Sequence, residues 1–219
     1  MTGELDNNRS NSHTWNFYAW TNVFTTQQIK EINEFIDKEY DGLENVESGT
    51  PNLPDGTIVK NVSTVKVISY GKIKHLILDL VNEAYYTANF HFGYTTFVPY
   101  NNEVLNFNTY NSDNKDHYGW HTDLSRSATY DIKFSLLINL STDPYEGGEF
   151  QLQDGYTCGL WSGSSLFEPG SAIMFKSYMP HRVLPVTSGT RKSLIMFISG
   201  PKFKWFVILE KNHMALLLN

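Results

Sequence analysis

Cysteine is almost absent: Cys158 stands alone in 219 residues. A single thiol closes no intrachain disulfide and builds no multi-cysteine metal site. A basic excess is also missing, because 17 Lys and Arg face 23 Asp and Glu for a net charge of −6. Affinity for nucleic acid leans on neutralising phosphates, so this balance argues against a nucleic-acid partner. No apolar run approaches the roughly 20 residues of a membrane span. The opening MTGELDNNRSNSHTW carries no signal-peptide apolar core. These absences lead us to expect a cytoplasmic chain with no membrane partner. What is present is a globular composition, with 41% hydrophobic and 15% aromatic residues.

Periodicity divides the chain in two. Residues 1–14 read as a frayed tail. Residues 25–40 read as a helix, with capping-box spacing from Thr25 to Gln28 and a face of Ile29, Ile32 and Ile36. A loop to about residue 56, a Val/Ile/Thr-rich strand over 57–70 and a second helix over 72–88 follow. That helix would bury Ile73, Leu76, Leu80, Val81 and Ala84. Short β-like runs then recur at 90–98, 103–110, 117–123, 132–141, 148–154, 171–177, 181–186 and 191–199. Turn signals such as Gly147-Gly148, Pro169-Gly170 and Ser188-Gly189 separate them. Many short strands without helical period between them predict a sandwich or jelly roll. The expected fold class is mainly β with N-terminal helices (α+β). We expect a tail and helical buttress over 1–94, a β core over 95–201 and a closing segment over 202–219.

Two clusters of residues carry chemistry. In YGWHTD, His121 and Asp123 are two apart, so on a strand they share one face. An imidazole and a carboxylate make two-thirds of a 2-His-1-carboxylate metal site, which leaves positions open for other ligands. His-x-Asp alone is weak and also fits a hydrogen-bonded surface pair. His181, in MPHRVLP, is a candidate third ligand, although a lone histidine in such a strand is more often structural. Ten residues later, Arg191 and Ser193 share a strand face inside the apolar run SLIMFIS. A buried guanidinium needs an anion. That anion is either a protein carboxylate or a bound dicarboxylic acid gripped through two parallel hydrogen bonds.

His121-x-Asp123, His181 and Arg191-x-Ser193, in this order and spacing, resemble the 2-oxoglutarate/iron(II)-dependent dioxygenase superfamily. The chain is most similar to its prolyl 4-hydroxylase-like branch, bacterial and phage types included. TYNSDNKDHYGWHTD, FSLLINLSTDPYEGGEFQL and the stretch from Glu168 to Pro201 carry the likeness. The resemblance implies a double-stranded β-helix (jelly roll), an Fe(II) centre held by His121, Asp123 and His181, and 2-oxoglutarate and O2 as cosubstrates. Hydroxylation would be coupled to formation of succinate and CO2, with Arg191 and Ser193 anchoring the cosubstrate. Tyr110 falls where this branch places a tyrosine on 2-oxoglutarate; a core aromatic is the alternative. Asn139 departs from the aromatic residue of some relatives and is a candidate cosubstrate contact. Arg191 stands where collagen-type enzymes use lysine.

The branch implies a peptidyl proline in a protein or peptide partner, with a free amino acid or another small molecule as the alternative. By strand alternation, Asn106 and Asn108 share the face of Tyr110 and are candidate pocket residues. Trp120 and Tyr178 are candidate substrate contacts, although aromatics near a site more often pack. Two rival readings are a nucleobase-repair dioxygenase and a non-catalytic jelly-roll binding module. The first typically carries further arginines after the first, whereas none follows Arg191 before Gly200. The second leaves Arg191-x-Ser193 unexplained. Oligomeric state is not legible in the sequence.

Overall fold

The computed structural model describes residues 11–49, 60–124, 127–154, 159–161 and 168–203. The expected closing segment lies outside the described residues beyond 203. In chain order the strands are β1 (Asn11–His13), β2 (Phe17–Trp20), β3 (Glu44–Gly49), β4 (Lys60–Ser69), β5 (Val104–Asn111), β6 (Tyr118–His121) and β7 (Tyr130–Asn139). They continue with β8 (Glu146–Gly147), β9 (Phe150–Asp154), β10 (Gly159–Trp161), β11 (Ala172–Lys176), β12 (His181–Val183), β13 (Val186–Ser188) and β14 (Thr190–Pro201). Two helices, α1 (Thr26–Glu39) and α2 (Tyr70–Tyr86), lie between β2 and β5. The architecture is therefore mostly β with few helices.

An eight-stranded antiparallel sheet runs β1-β2-β11-β7-β14-β5-β4-β3. A four-stranded sheet runs β10-β9-β12-β6, and β8 pairs with β13. Alternation gives the large sheet two buried faces. Leu105, Phe107, Leu136, Ile138, Met174, Leu194, Met196 and Ile198 pack in one cluster with both helices. Tyr110, Leu137, Ile173 and Phe175 turn the other way and meet Phe150, Leu152 and Val183 of the small sheet. Each buried aliphatic or aromatic side chain contributes roughly 1.5–3 kcal/mol. The β7 run stays apolar because β11 and β14 flank it and both its faces are covered.

The capping box forms as the spacing predicts. Thr25 Oγ1 accepts from the Gln28 N–H at 3.3 Å, and Gln28 Oε1 accepts from the Thr25 N–H at 2.9 Å. Ile29, Ile32 and Ile36 are buried, and Asn33 donates to the Leu140 carbonyl at 2.9 Å, tying α1 to the end of β7. Gly170 adopts φ +83, and a Cβ there would stand 2.3 Å from the Phe24 carbonyl oxygen, so glycine is required where β11 begins.

Several boundaries differ from expectation. Residues 11–13 are not tail but β1, paired with β2. The expected loop after α1 contains β3, whose polar sequence ENVESG hides a strand at the sheet edge. The expected strand over 90–98 is absent: α2 runs into a π-helical turn, Thr87–His91, and non-strand chain follows. Its aromatics pack on the large sheet, as Phe92 does on Phe134 at 5.2 Å, so their apolarity serves packing and not a ladder. In α2, Ile77 is buried and Leu76 only half-buried. Leu184-Pro185 splits the 181–186 run into β12 and β13, because proline offers no N–H to continue a ladder.

Candidate metal centre

Strand β12 pairs with β6 so that His181 stands directly opposite His121. The register then shifts, and Val183 stands opposite Tyr118. Gly119 and Trp120 thus oppose the single residue Arg182, which is a β-bulge. The bulge lets Tyr118 and His121 line one cavity together, although they are three apart. Asp123 is not on the strand, which ends at His121. Its N–H instead donates to the Ser177 carbonyl at 2.9 Å, and its Oδ2 accepts from the Ser135 hydroxyl at 2.5 Å. Tertiary hydrogen bonds, not alternation along a strand, bring its carboxylate to the histidines.

The donor atoms of His121, Asp123 and His181 all lie within 4.8 Å of one another. His121 Nδ1 lies 2.8 Å from the Gly119 carbonyl, and His181 Nδ1 lies 3.0 Å from the Met179 carbonyl. A carbonyl only accepts, so each Nδ1 carries the proton and each Nε2 presents a lone pair. Those Nε2 atoms stand 3.6 and 3.4 Å from the Asp123 carboxylate. Burial, and then the neighbouring His181, push the His121 imidazole well below its ordinary range, so it is neutral. Two lone pairs and a carboxylate facing one another repel unless a cation sits between them. Backbone-oriented imidazoles and a hydroxyl-held carboxylate are the usual outer support of a metal site. The donor set therefore fits a divalent metal.

The cavity beside the triad has a volume of about 200 Å³. Asn106, Asn108, Tyr110 and Tyr118 supply its polar wall, and Leu137, Phe150, Phe175 and Ile195 are among its apolar lining. The Tyr118 ring packs at a tilt against His121, with centroids 4.0 Å apart. Burial pushes the Tyr110 phenol up to about 12, with nearby Arg191 pulling the other way, so it stays a hydrogen-bond donor.

Arg191 and Ser193 occupy the same inner face of the large sheet. Arg191 pairs across strands with Tyr110, and Ser193 lies between Asn108 and Asn139. Arg191 is 2% exposed, with its guanidinium 5.4 Å from the Tyr110 ring and donating to Ser193 Oγ at 3.3 Å. Among the described residues no carboxylate pairs with it, which removes described protein carboxylates as its partner. Gly148, at φ +66, has no side chain because a Cβ would come within 3.0 Å of Arg191 Cδ.

The structure thus brings together in one cavity the triad, Tyr110, Asn106 and Asn108. Arg191, Ser193 and Asn139 continue the same face beyond Tyr110 and Asn108, buried past the cavity's closed end, and are not among its lining residues. Asn139 donates to the Tyr145 hydroxyl at 3.2 Å and accepts from the Ser141 N–H at 3.0 Å, so it fixes the turn after β7. Trp120 and Tyr178 do not line the cavity either. The bulge turns Trp120 outward against the Arg182 guanidinium at 4.6 Å. Tyr178 is 44% exposed. Sequence reasoning missed Ser135 and Tyr118. Ser135 carried a signal: it is the polar residue four before Asn139, on the inward parity of β7. Tyr118 carried none, because the bulge that turns it inward is a property of strand pairing.

Residues 105–199, which hold every residue of this site, match the 2OG-Fe(II) oxygenase superfamily. A PKHD-type hydroxylase of Synechococcus sp. (strain CC9605) is 35% identical over 85 residues, 38% of this chain and 36% of that protein. One of Azoarcus sp. (strain BH72) is 33% identical over 102 residues, 43% of this chain and 42% of that protein. The alignments thus span 36% to 42% of these relatives' length. Among solved structures, a Pseudomonas putida prolyl-4-hydroxylase superposes with a TM-score of 0.60 at 14% identity, covering 86% of this chain and 94% of that one. A Trichoplax adhaerens prolyl hydroxylase, solved with a peptide fragment of the hypoxia inducible factor oxygen degradation domain, gives 0.60 at 16% identity, covering 84% of each chain. At such identities the likeness is one of fold. The sequence resemblance to the 2-oxoglutarate/iron(II) superfamily and its prolyl 4-hydroxylase-like branch is borne out.

Proposed function

We propose that this chain, matched over residues 105–199 to the 2OG-Fe(II) oxygenase superfamily, is an Fe(II)- and 2-oxoglutarate-dependent dioxygenase that hydroxylates a peptidyl proline. The observation that carries the reading is the buried Arg191, with no described carboxylate partner, on the strand face that leads to a three-donor metal site. We read the two facing sheets as a double-stranded β-helix, with α1 and α2 of the N-terminal segment as its helical buttress and β1–β4 extending the large sheet. When bound, iron and 2-oxoglutarate would supply dioxygen activation, one oxygen atom going to succinate as CO2 is lost and the other to the substrate hydroxyl.

The chain's own residues then have distinct tasks. His121, Asp123 and His181 hold the metal from one side and leave the cavity side open for exchangeable ligands. Ser135 fixes the orientation of Asp123. Arg191 and Ser193 take the far carboxylate of 2-oxoglutarate, and the protonated Tyr110 phenol donates a further hydrogen bond. Asn106 and Asn108 form the polar wall facing the substrate. Apolar Leu137, Phe150 and Phe175 exclude bulk water around the metal. The PKHD-type hydroxylase relatives support hydroxylation, the prolyl hydroxylase structural neighbours support the choice of proline, and the Trichoplax neighbour supports a peptide partner. No described helix is long and apolar enough to cross a membrane. We place the enzyme in the cytoplasm.

Anaerobic addition of Fe(II) and 2-oxoglutarate should give a visible charge-transfer band that vanishes in Asp123→Ala and weakens in Arg191→Ala. No band in folded wild-type protein would sink the reading. Mass spectrometry of prolyl peptides after turnover should show one added oxygen atom at proline; turnover of free amino acids only would move the substrate to the small-molecule class.

A further inference from the structure

The inner face of the large sheet does not stop at the metal cavity. Along β5 the inward residues run Tyr110, Asn108, Asn106 and Val104; along β14 they run Arg191, Ser193, Ile195, Phe197 and Ser199. Beyond Asn106 and Phe197, which both cavities share, the trough widens into an open groove of about 510 Å³. Its walls carry Phe97, Tyr100, Val104 and Tyr130, which are 37%, 64%, 51% and 40% exposed. The Phe97 N–H donates to the Ser199 carbonyl at 2.8 Å, which fixes this wall against β14.

Among the described residues that line the groove, the charged one is Glu103. It is half-buried, and burial pushes its carboxyl above the usual range against the pull of the Tyr100 N–H. Among the described residues no lysine, arginine or histidine pairs with it. The backbone around it is fixed, because the Tyr70 N–H donates to the Glu103 carbonyl at 2.7 Å. The trough is therefore polarised: Arg191, a cation with no carboxylate partner among the described residues, at the closed end, the metal triad between, and Glu103, a carboxylate with no basic partner among the described residues, at the open end. A dianionic cosubstrate is drawn to the first and repelled by the last. The open end suits a ligand with a positive charge.

Resting on the proposed hydroxylase reading, we propose that this groove seats an extended, proline-containing peptide whose lysine or arginine side chain pairs with Glu103. Aromatic-lined grooves take proline-bearing extended segments because rings stack on the pyrrolidine face and the segment is already ordered. A half-buried carboxylate adds a charge-assisted hydrogen bond that an acidic or neutral residue forfeits. Glu103 is thus a specificity determinant; it does not touch the reacting atoms.

The test uses the full chain loaded anaerobically with Fe(II) and 2-oxoglutarate. Fluorescence anisotropy would follow blocked, labelled peptides of one sequence that carry Lys, Gln or Glu at each position up to three residues from a central proline. The best Lys peptide should bind about 5- to 10-fold more tightly than its Glu counterpart at low salt. The preference should fall to near unity in Glu103→Gln, which keeps the side-chain shape, and invert in Glu103→Lys. Binding of none of the panel, equal binding of Lys and Glu peptides, or a preference that survives in Glu103→Gln would each overturn the proposal. So would binding of a free alkylamine as tight as that of the peptide. The charge-transfer band of the wild type separates the two levels: a band without charge preference refutes the groove and leaves the oxygenase reading standing, whereas no band refutes the oxygenase reading itself.

Discussion

Replacing Arg191 by methionine probes the reading where its energetics are sharpest. Arg191→Met keeps the aliphatic stem that packs against Gly148 and removes the charge. Without ligand, the loss is one hydrogen bond to Ser193 at 3.3 Å and the stacking on Tyr110 at 5.4 Å. Those contribute about 0.5–1.5 and 0.5–2 kcal/mol. The gain is relief from burying a guanidinium with no described carboxylate, an effective penalty of several kcal/mol per ion. The ligand-free variant should therefore be as stable as wild type, or more stable by about 1–2 kcal/mol. With 2-oxoglutarate the order reverses. At 100 times its Kd, 2-oxoglutarate stabilises the wild type by about 2.7 kcal/mol, or roughly 5–10 °C in Tm for a domain of this size. Loss of a bidentate charged contact weakens binding about 100-fold, which leaves roughly 0.4 kcal/mol and about 1 °C at the same concentration. Calorimetry of both proteins, under nitrogen with Fe(II), with and without 2-oxoglutarate, reads all four quantities. A ligand-free variant that loses 3 kcal/mol, or one that keeps the full ligand shift, would refute the assignment of Arg191 to an absent anion.

Three further outcomes follow from other contacts. Ser135→Ala frees Asp123 Oδ2 and should weaken metal affinity about 10- to 100-fold by metal titration, with little change in Tm; unchanged affinity would show that Asp123 is positioned without it. Tyr110→Phe should raise the KM for 2-oxoglutarate about 10- to 100-fold while kcat changes less, since one hydrogen bond to an anionic ligand is removed. Because burial holds the phenol near 12, the wild-type KM should show no Tyr110 titration between pH 6 and 9. Asp131 accepts from Lys202 at 2.8 Å and from the Phe203 N–H at 2.7 Å, which hold its carboxyl below the usual range, Lys202 first. A depressed carboxylate adds stability that is present above its unfolded pKa and is lost as pH falls through the folded one. Because Lys202 is solvent-screened, Asp131→Asn should cost no more than about 0.5–1 kcal/mol at pH 7, and the difference should close as pH falls below ~4 in urea titrations.

Much of the local structure and the cast of the site were legible in the residues alone. Thr25 and Gln28 capped α1 as spaced, because a capping box involves only neighbouring residues. Apolar alternation along β5, β7 and β14 placed Asn106, Asn108, Tyr110, Arg191 and Ser193 on one face, because period two is intrinsic to a strand. His121, Asp123 and His181 were legible as a set through their order and spacing beside Arg191-x-Ser193. How they meet depends on packing between distant segments. Asp123 lies beyond its strand and is held by Ser135 and Ser177, from strands and turns 12 and 54 positions away along the chain. The bulge opposite Arg182 turned Tyr118 inward and Trp120 outward, a choice made by pairing between β6 and β12. The edge strand β3 and the π-helical turn at Thr87–His91 have no periodic signature, since their partners are supplied by distant chain. Whether Arg191 met a protein carboxylate was likewise a question about neighbours in space. The continuity of the trough toward Glu103 is of the same kind: it exists because the sheet makes Asn106 and Phe197, 91 positions apart in sequence, diagonal neighbours on one face.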